Sequence, residues 1–174
     1  MCGLLGMLAA TGNVDKYVNA LERSLPCMRH RGPDAAGTWH DGDAAFGFNR
    51  LSIIDLEHSH QPLRWGPEDQ PDRYAMTFNG EIYNYVELRE ELTGLGYTFH
   101  TEGDGEPIVV GYHHWGKDVV NHLRGMFGIV IWDTHTKTMF AARDQFGIKP
   151  LYYATTEAVS YTHLTLPTSA PVWI

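Results

Sequence analysis

Residues 127–144 read "FGIVIWDTHTKTMFAARD": two short apolar runs around a polar stretch at 133–137. β-Branched and aromatic residues fill the first run, and the polar residues between the two suit a turn, so the segment predicts an antiparallel hairpin. Outward from it, "IKPLYYA" (148–154) and "YAMTFNG" (74–80) read as further strands. "EIYNYVELREELTGLG" (81–96) predicts a helix, with Val86, Leu88, Leu92 and Leu95 apolar and two glycines as a stop. "YTFHT" (97–101) reads as a short strand, "EPIVVGYHHWG" (106–116) as a helix opened by Pro107, and "VVNHLRGM" (119–126) as a short helical pattern.

Upstream, "CGLLGMLAA" (2–10) reads as a strand, and "VDKYVNALERSLPC" (14–27) as a helix with Val14, Tyr17, Val18, Leu21 and Leu25 at helical spacing and Asn13 as its cap. "MRHRGPDAAG" (28–37) reads as a loop and "AAFGFNRLSIID" (44–55) as a strand with Phe46, Phe48 and Arg50 on one face. The polar, proline-rich residues 57–73 suit a surface loop. Strands arrive in hairpins and blocks with helices between them, not in strict βαβ alternation. That order favours antiparallel sheet covered by helices, an α+β layered domain.

With 174 residues, 43% of them hydrophobic and 20% charged, the chain is long enough for one domain with its own core. A formal charge of −8 argues against nucleic-acid binding, which leaves a basic footprint, and favours a small-molecule substrate. No apolar run reaches the roughly 18 residues of a membrane span, and no basic region precedes the short apolar start. A cytoplasmic protein without a membrane partner is expected. Cys2 and Cys27 give neither a disulfide framework nor zinc spacing, and Cys27, at a helix end, is expected in the core. The histidines, His58, His60, His113 and His114 among them, form no metal motif, so no metal is expected.

Hydrolysis of a carboxamide needs a nucleophile, a proton carrier and donors for an oxyanion. Once Met1 is removed, Cys2 carries both thiol and free α-amine, whose reference pKa values of about 8.5 and about 7.7–8.0 allow exchange of a proton near neutrality. Cys2 reads equally as a small apolar residue opening a buried strand. Asn79-Gly80 is either a hairpin turn or, since a helix pattern follows it, a strand end that presents an amide side chain and a backbone N–H. Arg50 offers a bidentate carboxylate clamp or an internal ion pair, and Asp104, between two glycines, either a reachable carboxylate or a turn.

Taken together, "MCGLLG", "RHRGPDAAG", "FNRLSIID", "FNGEIYNY", "LRGMFGIVIWD" and "ARDQFGIKPLYY", in this order, resemble the N-terminal glutaminase domain of glutamine-hydrolysing asparagine synthetase, from Met1 to about Ala154. The resemblance implies a class II glutamine amidotransferase domain with the N-terminal-nucleophile hydrolase fold, a four-layer αββα sandwich of two antiparallel sheets. It implies Cys2 as nucleophile, Asn79 and Gly80 as oxyanion hole, Arg50 on the glutamine carboxylate, Asp104 on its amine and Glu81 fixing the substrate. Leu51, Ser52, Ile53 and Ile54 would line the pocket, with Arg29, Arg31 and Asp34 behind them.

L-Glutamine is the implied ligand, and a C-terminal ATP-dependent synthetase domain the implied partner, with homo-oligomerisation left open. No cofactor is expected in this chain, ATP and Mg2+ belonging to the synthetase domain. The domain is expected over 1–158, truncated at its C-terminal end. "VSYTHLTLPTSAPVWI" (159–174) does not match the family's next strand and is expected to be an artefactual tail of adapter or vector origin. The alternatives are an inactive glutamine-binding or docking fragment, and the glutaminase domain of another class II amidotransferase.

Overall fold

The computed structural model describes residues 2–9, 13–52, 54–55, 60–155 and, as backbone, 159–164. Strand β1 (Gly3–Ala9) is followed by helix α1 (Asp15–Ser24), a 3₁₀ segment (Leu25–Arg31), and strands β2 (Ala35–His40), β3 (Ala44–Arg50), β4 (Leu63–Trp65) and β5 (Tyr74–Ile82). Helices α2 (Tyr85–Gly94) and α3 (Glu106–Trp115), a second 3₁₀ segment (Gly116–Asn121), and strands β6 (Gly125–Asp133), β7 (Thr138–Arg143), β8 (Tyr152–Thr155) and β9 (Val159–Leu164) complete the order. The opening hairpin is β6–β7, antiparallel with Gly128 opposite Arg143 and Asp133 opposite Thr138.

Two sheets form, ordered β2-β3-β1-β9-β8 and β4-β5-β6-β7. Alternation along the strands sorts their side chains into three cores. Leu4, Phe46, Phe48, Ala75, Val130 and Trp132 meet between the sheets. Leu5, Ala45, Val14 just before α1 and Leu21 of α1 fill the outer face of the first sheet. On the second sheet, Met76, Phe78, Ile129 and Ile131 pack under Leu88, Leu92, Ile108 and Val109 of α2 and α3. The layers run α, β, β, α, the αββα sandwich the sequence implies.

Several local expectations differ. Residues 97–101 are not a strand: Glu106 accepts the N–H groups of His100 (2.9 Å) and Thr101 (2.7 Å), so a carboxylate takes the amides a strand partner would take. Residues 28–37 are loop only in part, since the 3₁₀ segment runs to Arg31 and β2 begins at Ala35. β2 is an edge strand with little apolar alternation, and β4, inside the polar 57–73 stretch, is three residues long. The strand expected over 44–55 stops at Arg50, and residues 119–126 are 3₁₀ turn and strand start. Val86 and Leu95 face solvent, while Leu88 and Leu92 carry the buried stripe of α2. Cys27 is exposed and Met28 takes the core position beside it. Asn13 accepts the Asp15 N–H at 2.6 Å, as a helix-start residue does.

Residues 159–164, set apart by the sequence as the beginning of a tail, form β9 between β1 and β8. The edge of β1 offers a row of N–H and C=O groups, and the β-branched and aromatic residues of this segment fit such a row. Residues 165–174 lie outside the described residues.

Candidate active site

β5 and β3 aim their ends at one point from opposite sheets. Along β5, Ala75 lies in the inter-sheet core and Met76 and Phe78 in the outer core. Alternation therefore turns Asn79 and Glu81 inward, toward the space between the sheets. Along β3, the face shared by Phe46 and Phe48 ends in Arg50, as expected, and Cys2 packs against that same inter-sheet core. One cavity is lined by Cys2, Arg50, Leu51, Ile54, Asn79, Gly80, Glu81 and Asp104.

The backbone nitrogen of Cys2, which becomes the α-amine once Met1 is removed, donates to Asn79 Oδ1 at 3.1 Å. Cys2 Sγ accepts the Leu51 N–H at 3.4 Å and faces the Leu51 carbonyl at 3.7 Å. Burial pushes the thiol pKa up, and the Leu51 N–H and the charges of Arg50 and Arg31 only partly offset it. The thiol is therefore protonated at neutral pH, and attack requires a base within reach.

Asn79 is 2% exposed, its Nδ2 has no partner among the described residues, and its Oδ1 is taken by Cys2. A buried amide N–H₂ without an acceptor costs free energy unless a ligand supplies one. Gly80 adds a second donor. Along a strand, N–H groups two residues apart face the same edge. Phe78 donates to Gln61 Oε1 (2.7 Å) and Ile82 to Asp104 Oδ2 (3.0 Å), so the Gly80 N–H between them faces that edge too, beyond the start of β4 at Leu63. A Cβ at Gly80 would lie 2.0 Å from the Met126 carbonyl oxygen, so glycine is what the approach of β6 permits.

Arg50, 6% exposed, donates through Nη2 to the carbonyls of Ile54 (3.3 Å) and Asp55. Burial raises the Asp104 pKa, the Ile82 N–H opposes this, and the charge of Glu81 adds to it. A cationic ligand group beside Asp104 would relieve that penalty. Ser52 does not line the cavity; its N–H donates to Asp34 Oδ2 at 2.7 Å and pins the loop after β3. Ile53 lies outside the described residues. Arg31 has Nε and Nη2 buried without partners among the described residues, whereas Arg29 is exposed. Gly32 lets this loop press on β3, since a Cβ there would lie 2.3 Å from the Asn49 carbonyl oxygen.

Sequence reasoning missed Gln61, whose amide holds both backbone groups of Phe78 (2.7 and 3.1 Å) next to Asn79, and Lys149, which lines the cavity and is 5% exposed. It also missed Asp144. That carboxylate accepts the N–H groups of Phe127, Phe146, Ile148 and Lys149 and shapes the turn that delivers Lys149. Burial alone would raise its pKa, but these donors outweigh burial and hold it below the usual carboxylate value. The stability it contributes is present above the unfolded value of about 3.9 and is lost as pH falls through the lower folded value. Asp144→Asn is expected to cost about 2–3 kcal/mol at pH 7 and to flatten the acid limb of a stability-against-pH curve from denaturant titrations. Equal acid limbs in the two proteins would refute this.

The arrangement suits acyl transfer from a small amide: a thiol, an amide side chain beside a glycine N–H, a guanidinium and a carboxylate around one cavity. Among the described residues no three His, Cys, Asp or Glu side chains group as a metal site, and no helix is long and apolar enough to cross a membrane.

A family model described as a glutamine amidotransferase domain matches residues 1–164. The chain is 58% identical over 166 residues to a putative glutamine-hydrolysing asparagine synthetase of Mycobacterium tuberculosis, covering 89% of this chain and 26% of that protein. It is 44% identical over 160 residues to asparagine synthetase 1 of Bacillus subtilis, covering 89% and 24%. The chain thus spans about a quarter of the length of these relatives. Its fold matches the glutamine phosphoribosylpyrophosphate amidotransferase of B. subtilis with a TM-score of 0.71 at 20% identity, over 92% of this chain and 41% of the other.

Proposed function

From the premise that the chain belongs to the glutamine amidotransferase domain family, we propose that it hydrolyses the side-chain amide of L-glutamine, with Cys2 as N-terminal nucleophile. The observation that carries this reading is the buried Asn79 Nδ2, without a partner among the described residues, on a side chain that lines the same cavity as Cys2.

Cys2 Sγ attacks the amide carbon while its proton passes to the Cys2 α-amine, which Asn79 Oδ1 orients. The developing oxyanion takes hydrogen bonds from Asn79 Nδ2 and the Gly80 N–H. As the C–N bond breaks, the α-ammonium returns the proton to the nitrogen, which leaves as ammonia. Water, deprotonated by the same amine, then cleaves the γ-glutamyl thioester and frees glutamate. Arg50 holds the α-carboxylate, Asp104 the α-ammonium, and Glu81 lies beside them. Leu51 and Ile54 wall the pocket, with Ser52 and Ile53 completing the segment.

A thiol nucleophile works only while reduced, which suits the cytoplasm. In the longer relatives the ammonia would serve an ATP- and Mg2+-dependent synthetase domain C-terminal to this one, making the chain the glutaminase half of an asparagine synthetase. Purified protein incubated with L-glutamine is expected to release glutamate and ammonia in equal amounts, and to leave L-asparagine intact. The side chain of asparagine is one methylene too short to reach Cys2 from the Arg50 and Asp104 anchors. Equal turnover of both amides would overturn the reading.

A further inference from the structure

Arg50 and Asp104, the two groups assigned to the substrate's α-carboxylate and α-ammonium, sit at the end of β3 and in the loop before α3, and Asp55 touches Arg50 on one side and the Asp104 loop on the other. Its carbonyl accepts from Arg50 Nη2, and its carboxylate Oδ2 accepts the Glu102 N–H at 2.9 Å, two residues before Asp104. Its backbone has φ 46°, a left-handed conformation that glycine adopts freely and Asp and Asn tolerate better than other residues. Glycine would meet the backbone requirement alone; aspartate meets it and also supplies an acceptor for the neighbouring loop.

The Asp104 loop is tied down from other directions as well. Arg89 Nη2 donates to the Gly103 carbonyl at 3.0 Å, and Glu106 holds His100 and Thr101. Those ties come from α2 and α3, the helices that pack on the second sheet. The Asp55 contact runs instead to the loop after β3, in the first sheet.

Resting on the proposed function, we infer that Asp55 is a positioning residue that sets the distance between the carboxylate clamp and the ammonium acceptor. It thereby tunes selection of α-amino-acid amides over amides lacking the amino group. Ligand recognition by two fixed points tolerates little error in their spacing, because a displacement of about 1 Å can cost as much as 10²-fold in rate. An exposed hydrogen bond is worth less than a buried one, so the expected effect is about tenfold.

The test is calorimetric binding of L-glutamine and of glutaramate, which is glutamine without its α-amino group, in a Cys2→Ala background that holds ligand without turnover. Asp55→Gly keeps the backbone conformation and loses the acceptor. Its affinity for glutamine is expected to fall about tenfold and its affinity for glutaramate to stay put. Asp55→Asn keeps an acceptor oxygen and is expected to bind both ligands like the parent. Glu102→Pro removes the donor N–H from the other side of the contact and is expected to repeat the glutamine-specific loss, so the outcome does not hang on the folding of one variant. Parallel losses for both ligands, or no change in their ratio, would overturn the inference alone. A parent that binds neither ligand would overturn the proposed function and this inference with it.

Discussion

Replacing Cys2 by alanine is expected to lower kcat for glutamate release by about 10⁴-fold or more, the scale seen when a nucleophile is removed from an otherwise intact site. The thermal midpoint should move little, because Cys2 is only partly buried at the margin of the inter-sheet core and its sulfur meets one backbone N–H and one carbonyl. Binding of glutamine should survive, since Arg50 and Asp104 are untouched. The reason for so large an effect is that Cys2 occupies two roles in the proposed reaction. Burial keeps its thiol protonated, and the nearest base is its own amine, held by Asn79 Oδ1. A variant that retained a tenth of the activity would mean that water is activated without a thioester, and the nucleophile would have to be sought elsewhere.

The second large effect is expected at Asn79. Asn79→Ala removes the proposed oxyanion donor and the acceptor proposed to orient the α-amine, and should lower kcat by about 10²–10³-fold with KM within a few-fold. Asn79→Asp separates the two functions. It keeps the acceptor at Oδ1 and exchanges Nδ2, which has no partner among the described residues, for an oxygen. If the donor matters, the aspartate variant loses at least as much as the alanine variant, because a carboxylate oxygen repels the developing oxyanion. A kcat within tenfold of the parent in Asn79→Asp would remove Asn79 from the oxyanion hole and leave it as a structural anchor for the chain start.

Much of this architecture was legible because the inter-sheet core is built by strict alternation. Phe46, Phe48 and Arg50 share a face in the sequence and in β3, and the Phe127–Asp144 stretch turns back on itself as its polar centre demands. The chain start, the Asn-Gly strand end and the GDG loop stand out in the sequence because each places a reactive or polar group where little side chain obstructs it, and the fold brings them to one cavity. Other elements left no periodic mark. β2 pairs along one edge with few buried side chains, and β4 pairs through three residues, so neither needs an apolar pattern. Residues 97–101 have strand composition, but the carboxylate of Glu106, from the next helix, claims their amides.

The site's supporting groups were missed for a related reason. Gln61 and Asp144 accept backbone N–H groups from Phe78 and Phe127, distant in sequence, while Glu106 and Asp144 accept those of nearby loop residues, and neither kind of contact leaves a periodic pattern. A lone Gln in a polar loop or an Asp after a strand looks like surface until the fold brings those N–H groups to it. Asp55 belongs with them: the sequence reading ended a strand there, whereas the chain uses it in a left-handed turn to reach Glu102.

The central claim is that the reaction depends on a free α-amine on the residue that carries the nucleophile. The most direct measurement is glutamate release by two forms of the chain whose intact masses are known, one with Met1 removed and one with Met1 retained. The account predicts that the trimmed form turns over glutamine and the retained form does not, although both keep the Cys2 thiol. Equal rates from the two forms would contradict it, since an amide nitrogen at Cys2 cannot carry the proton.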